Sequence, residues 1–433
     1  MIIFMTLRKI GIFCLYALGG LGTTGAVTYA MAKETASPNY EVVSWQANYE
    51  GQVADKSVRV SLSRLGGVVT GNYCYEPCDP RRNGITLAGK PGGDLIETPI
   101  DAQRGQKQPI PSGRWKLQSL DGKPARHLSG RWSSMDGKRR GDVALALKLE
   151  PFSDEPEYEV RLVVDQPVNS VADCELDTSP LHVSQIRLYK QGRLQQSLKT
   201  AAYGSCSFVQ PQWVDANFDG QPDLTQSLEL PAGPNISYNT WLYDTKQRKM
   251  VLGPQELLDI SSPVFDTKAQ RIYSSWRASC CSHGLDIYTW KDGKPKPVEQ
   301  AESYVLPVRK AGKVMGCYIT PEYKDGHVVW PDALYRNADG LSLEGAPVTE
   351  DRCDIDVASS LSTAQLQVLA PQQPGRKASV LSAYGMSYVE VNTAQGKRYC
   401  PDLAVFDVDV RKVVRVKLTE NAAETCLDEK PGQ

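Results

Sequence analysis

Histidine is scarce in this chain. Four occur in 433 residues, at His127, His182, His283 and His327, and they are scattered. No Gly-x-Ser-x-Gly elbow and no His-Glu-x-x-His is present, and no Ser-x-x-Lys sits in a convincing setting. The usual signatures of nucleophilic and zinc-dependent hydrolases are therefore missing, and the chain reads as a non-enzyme. Paired carboxylates for glycoside hydrolysis stay open, because folding can unite any two acids. An excess of either charge is also missing: 49 basic residues meet 50 acidic ones. No basic footprint for nucleic acid is visible. Phenylalanine, at seven, is outnumbered by 20 tyrosines and eight tryptophans, which suits half-exposed sheets. Long helical patterns are scarce, while 35 glycines and 28 prolines supply many turns. The length exceeds one ordinary core, so two or three domains are expected.

The N-terminus carries Arg8 and Lys9, then an apolar, uncharged run from Ile10 to Ala30, then Ala30-Met31-Ala32. This order fits a signal peptide over residues 1–32. The alternative is an uncleaved anchor, since about 20 apolar residues can span a bilayer. Cys14 follows Gly11-Ile12-Phe13, which is no lipobox. Both readings place the rest of the chain outside the inner membrane: periplasmic, anchored facing the periplasm, or extracellular. A membrane contact is expected only through that segment. Ten cysteines remain beyond Cys14, and an even number in an exported chain implies disulfides. Cys74 and Cys78 in "CYEPC" are placed to close a tight loop, with a zinc site as the alternative. Cys174–Cys206 and Cys400–Cys426 are neighbours in sequence. The adjacent Cys280 and Cys281 are expected to take separate partners, because a vicinal bridge is strained.

Residues 40–165 read as short strands with turns at Gly66-Gly67, "LDGK" and "MDGK", the pattern of a small antiparallel barrel or sandwich. The middle stretch, 166–300, shows a repeat of apolar–aromatic strand, polar turn and second strand beginning at Leu188, Leu242 and Ile287. That spacing is expected of radial or stacked β-units, so the region reads as propeller-like. A helical patch is expected at Gly253–Ile260. Residues 301–433 are again strand-rich, either a separate region or a completion of the preceding domain. The whole is all-β.

One stretch carries chemistry. In "DANFDGQPDL", Asp215, Asn217 and Asp219 alternate, Gly220 permits a sharp turn, Gln221 offers a backbone carbonyl and Asp223 closes the run. Calcium takes six to eight hard oxygens, and ligands at positions 1, 3, 5, 7 and 9 of a loop supply them. Position 12 is Gln226 where a helix-loop-helix site has Glu, and both flanks read as strands, so the expectation is a calcium loop between strands. A polar hairpin turn is the plain alternative. The acidic runs at Asp351, Asp354 and Asp356 and at Asp407 and Asp409 lack the glycine and the spacing, and read as solvated edges. His283, beside the cysteine pair, is the most suggestive histidine, though a structural role is the simpler reading.

The run from "VDANFDGQPDL" through "HGLDIYTWKDGK", with "VTGNYCYEP" to "GDVALAL" upstream, resembles exported proteins built on integrin-like, FG-GAP-type β-repeats. The resemblance covers roughly residues 60–300. It implies an all-β, calcium-binding fold with ligands at Asp215, Asn217, Asp219, Gln221 and Asp223. It also implies a periplasmic inhibitor, or immunity protein, against a lysozyme-like peptidoglycan hydrolase delivered by type IV secretion. An inhibitor of such a cleft needs a rigid loop that meets its two carboxylates, and the basic "SSMDGKRRGD" at Ser133–Asp142 is the candidate, with a solvated hairpin as the alternative. A different class of function is an envelope module that binds glycan or protein without inhibiting anything.

Overall fold

Alternation at a period of two builds the first half of the chain. In "KSVRVSLSRL", every second side chain turns to one face; Val58, Val60 and Leu62 are buried while Arg59 is exposed. The computed structural model describes residues 39–78, 84–100, 110–118, 120–149, 152, 156–174, 179–229, 233–278, 283–336, 348–353, 387–393 and 396–417. The expected signal segment 1–32, Cys280, Cys281, Cys426, Asp354 and Asp356 lie outside the described residues.

Eight strands run in sequence: β1 (Tyr40–Val53), β2 (Lys56–Leu65), β3 (Val68–Tyr75), β4 (Gly84–Gly89), β5 (Asp94–Pro99), β6 (Gly113–Leu117), β7 (His127–Ser134) and β8 (Arg140–Lys148). Each pairs with the next, and β8 returns to β1 through Tyr49↔Leu147 and Val53↔Val143, so the sheet closes into an antiparallel barrel. Eight strands leave an interior that side chains just fill. Trp115, Tyr49, Tyr73, Leu62, Leu87, Leu95 and Leu128 fill it, each below 2% exposure. Burying each of these large side chains contributes about 1.5–3 kcal/mol.

β1 is long enough to serve two sheets. Its first half, Tyr40–Ser44, pairs with β9 (Glu159–Val164), which pairs with β10 (Leu181–Lys190) and then β11 (Arg193–Gly204). The strand pairing thus runs on past residue 165. Two four-stranded meanders follow. The first holds β12 (Gln212–Val214), β13 (Asp223–Ser227), β14 (Tyr238–Asp244) and β15 (Lys249–Leu252). The second holds β16 (Pro263–Asp266), β17 (Arg271–Arg277), β18 (His283–Lys291) and β19 (Lys294–Glu302). A single helical turn, α1 (Gln255–Leu258), joins them where the sequence shows a helical patch.

All three expected hairpins form, as β10–β11, β14–β15 and β18–β19. They belong to three different sheets, the first being continuous with the barrel. The second and third hairpins are the closing strand pairs of two equivalent four-stranded meanders, whereas the first ends the sheet continuous with the barrel. Hairpin turns follow from local sequence, whereas sheet membership follows from which edges meet.

The last strands are β20 (Tyr304–Lys310), β21 (Lys313–Lys324), β22 (His327–Arg336), β23 (Val348–Arg352), β24 (Ser387–Thr393), β25 (Gly396–Asp407) and β26 (Lys412–Lys417), in one sheet where β20 and β25 run parallel. This sheet docks on the second meander. Tyr323 stacks on Tyr273 at 3.9 Å and donates to Asp266 at 2.6 Å, and His327 pairs with Glu299 at 2.8 Å. Asp407 is not a solvated edge: it is 7% exposed, accepts the Asp409 and Val410 amides, and lies 3.6 Å from Arg309. The turn folds back on its own carboxylate, which the sequence pattern alone does not show.

Disulfides join Cys74 to Cys78 and Cys317 to Cys353, and Cys206 is also disulfide-bonded. The zinc alternative at Cys74/Cys78 is thereby removed. These bridges fit an exported chain.

Candidate metal centre and basic hairpin

The loop from Asp215 to Asp223 connects β12 to β13, between strands as expected. Its carboxylates first organise its own backbone. Asp215 accepts the amides of Asp219 and Gly220, each at 3.1 Å, and Asp219 accepts that of Gln221 at 2.8 Å. Asn217 Oδ1 accepts the Asp219 amide at 3.2 Å, and its Nδ2 donates to Asp219 Oδ2 at 2.9 Å. Asp223 takes the amides of Ala216 at 2.9 Å and Tyr243 at 2.8 Å, which ties the loop to β14. Gly220 has φ +79° with nothing within 4 Å of where a Cβ would stand, so backbone conformation and not space demands glycine there. Phe218 also lies in the left-handed region, at φ 62°.

The side chains that anchor the loop were not legible as site residues. Phe218 packs into a cluster with Leu257, Ile260 and Ile272, and Trp290 on β18 donates its indole N–H to the Ala216 carbonyl. The loop thus bridges the first meander to the second.

The donor set suits a hard cation: three carboxylates, one amide oxygen and one backbone carbonyl, with no nitrogen or sulfur ligand. Burial pushes the Asp223 carboxyl up to about 7, its two backbone donors oppose this, and the charges of Asp219 and Asp215 add to the rise. Burial likewise raises Asp215, with Asp219 contributing. A divalent ion relieves this kind of repulsion. Each carboxylate oxygen keeps a second lone pair beyond the amide bonds above. Among the described residues, no three His, Cys, Asp or Glu side chains converge as a ready metal cluster. The fit is therefore one of donor type, since Asp215, Asp219 and Asp223 are not gathered into one cluster. The residues fit the group chemically.

Ser133–Asp142 forms the β7–β8 hairpin. Ser134 Oγ donates to Asp136 at 2.5 Å, the Lys138 amide donates to the same oxygen at 3.1 Å, and Gly137 takes φ 70°. Arg139 lies over the Trp132 ring at 5.7 Å. The outer face beside the turn is basic, because the register aligns Arg114 with Ser133 and Arg140, and Lys116 with Arg131. All four cations are exposed. Arg131 and Asp142 approach to 3.9 Å while both stay more than 80% exposed, so their pairing contributes little.

Two further constellations invite a catalytic reading and receive a structural one. His283 Nδ1 lies 2.7 Å from the Tyr318 hydroxyl, which donates to Ser303 Oγ at 3.0 Å. Ser303 is wholly buried, and the trio seams the second meander to the last sheet. Glu97, 2% exposed inside the barrel, accepts from Tyr73 at 2.6 Å, Trp132 at 2.8 Å, Ser112 at 2.9 Å and Trp115 at 3.0 Å. Gly113 makes room for it, since a Cβ there would stand 2.3 Å from Glu97 Oε1. Burial and then the Glu97 charge push the Tyr73 phenol up, so it remains a donor. A carboxylate so occupied organises the barrel interior.

A family described as a domain of unknown function (DUF8339) matches residues 305–431, the part of the chain beyond the resemblance described above. No curated protein matches. Among solved structures, the chain is similar to one titled "Structure of a Xanthomonas Type IV Secretion System related protein", at 17% identity, over 66% of this chain and 99% of that one, with a TM-score of 0.21. A likeness at that score carries no argument about fold or function. None of these matches names an integrin-like repeat or an immunity family.

Proposed function

We propose that this chain is a non-enzymatic, calcium-binding exported protein that blocks a lysozyme-like peptidoglycan hydrolase in the periplasm. The sequence resemblance supplies the partner class, and the rigid basic face around the β7–β8 hairpin supplies the means. A cleft with two catalytic carboxylates attracts cations, and a turn locked by Asp136 and Ser134 loses little freedom on entering it. Calcium at Asp215, Asn217, Asp219, Gln221 and Asp223 would hold the two meanders in register through Phe218 and Trp290.

The test is a turbidity assay on peptidoglycan with a lysozyme-like peptidoglycan hydrolase. The protein alone should clear nothing and should slow the enzyme at near-stoichiometric ratio. The double substitution Lys138→Glu/Arg140→Glu reverses two exposed charges and should weaken inhibition by about tenfold or more. Clearing by the protein itself, or equal inhibition by the double variant, would overturn the proposal.

A further inference from the structure

The outer face of β1, β2 and β3 forms the floor of a groove of about 570 Å³, within the usual range for small-ligand sites. The floor is neutral and polar. Gln46, Ser63 and Thr70 align in one cross-strand row, and Asn48, Ser61 and Asn72 align in the next. Amides and hydroxyls therefore alternate over three strands that barrel closure holds rigid. Ser61 donates to Asn48 Oδ1 at 2.6 Å and Ser63 to Gln210 Oε1 at 2.7 Å, which fixes both rows. The half-buried rings of Tyr158 and Trp213 stand in the walls. Ser44 also belongs to the lining, is 2% exposed, and its Oγ has no hydrogen-bond partner among the described residues.

The charges in the lining are already engaged. Lys148 pairs with Glu50 at 3.1 Å and Glu159 with Arg161 at 2.7 Å, and Lys123 is held by the neutral Glu157 carbonyl at 2.8 Å. A cationic ligand would find no unpaired counter-charge here, and an anionic one would find a single ammonium, Lys123, already turned to a carbonyl at the rim. An extended peptide would need an open strand edge, but β1, β2 and β3 each have neighbours on both sides in the barrel, leaving only side chains to read a ligand. An apolar ligand would strand the amides. What remains is a neutral ligand with many hydroxyl and amide groups and flat apolar faces to lie on aromatic rings.

We infer that this groove binds a neutral oligosaccharide bearing amide groups, such as a chain of N-acetylhexosamines, with Asn48 and Asn72 as its main hydrogen-bonding contacts. The groove meets β8 at Leu147 and Lys148, the strand end opposite the β7–β8 turn, and the inference stands independently of the inhibitor proposal.

The experiment is calorimetric titration of the full exported chain with triacetylchitotriose, with anionic trigalacturonate as the comparison sugar. Saturable binding of the neutral sugar and none of the anionic one is expected. Asn48→Ala and Asn72→Ala, both at exposed positions that leave the barrel interior untouched, should each weaken binding about fivefold, the worth of one neutral hydrogen bond. Lys138→Glu/Arg140→Glu should leave sugar binding unchanged even if it abolishes enzyme inhibition. No saturation up to millimolar sugar, a preference for trigalacturonate, or full binding by the Asn48→Ala/Asn72→Ala variant would each overturn the inference.

Discussion

Removing the Glu97 side chain should damage the barrel far more than its charge suggests. Four donors from three strands and the segment before β6 meet this carboxylate: the Tyr73 hydroxyl, Ser112 Oγ, and the indoles of Trp115 and Trp132. Glu97→Ala leaves them without an acceptor in the barrel interior. Each unsatisfied buried donor costs about 1–3 kcal/mol, and the half-buried Trp132 can recover part of its share from water. The sum is about 3–9 kcal/mol, a large fraction of the 5–15 kcal/mol typical of a whole domain. Glu97→Gln keeps the shape. Its carbonyl oxygen can receive two of the three donors that meet Glu97 Oε2, the half-buried Trp132 indole can turn to water, and Ser112 can turn its hydroxyl to accept from the new amide. That variant loses charge assistance but also sheds a buried charge, so its cost should stay near 1–2 kcal/mol. Urea unfolding followed by tryptophan fluorescence reads the difference, because Trp115 and Trp132 lie at the site. An alanine variant losing less than about 1.5 kcal/mol, or a glutamine variant as damaged as alanine, would refute the accounting of unpaired donors.

Calcium should raise the melting temperature, by about 2.7 kcal/mol in stability at one hundred times its dissociation constant, and Asp219→Ala should remove most of that gain; an equal shift in both proteins would return the loop to a polar turn. Gly220→Ala should cost about 1–2 kcal/mol in chelator as well as in calcium, because the strain at φ +79° belongs to the backbone, and a loss seen only with calcium would contradict this. Denatured, unreduced material from the periplasm should show no reactive thiol, and two or more per chain would break the pairing of the ten exported cysteines. Burial raises the Glu41 carboxyl, but hydrogen bonds from Arg187, Tyr189 and Arg161 outweigh it and hold the group below its ordinary range. Its stabilising effect is therefore complete above the unfolded value near 4 and is lost as pH falls through the lower folded value, so Glu41→Gln should flatten the acid limb of a stability profile; an unchanged limb would count against it.

The strands were legible because alternation is local. A residue's neighbours two positions away decide which face it shares, and the turns at Gln191-Gly192, Asp292-Gly293 and Gly66-Gly67 announce themselves by composition. The turn of the acidic loop was legible for the same reason: its left-handed Gly220 and the amides that Asp215, Asn217 and Asp219 accept lie within nine residues, so those bonds need no distant partner. Tertiary structure decided what distant segments share. The sequence does not show that β1 serves two sheets, that Cys317 meets Cys353, or that Trp290 reaches back to the Ala216 carbonyl. The same holds for Glu97, which looks like one more acidic strand residue until β3, β6 and β7 bring their donors to it. Local periodicity fixes backbone conformation and facing; the choice among competing strand edges depends on packing summed over the whole barrel, and no single stretch of sequence contains that sum.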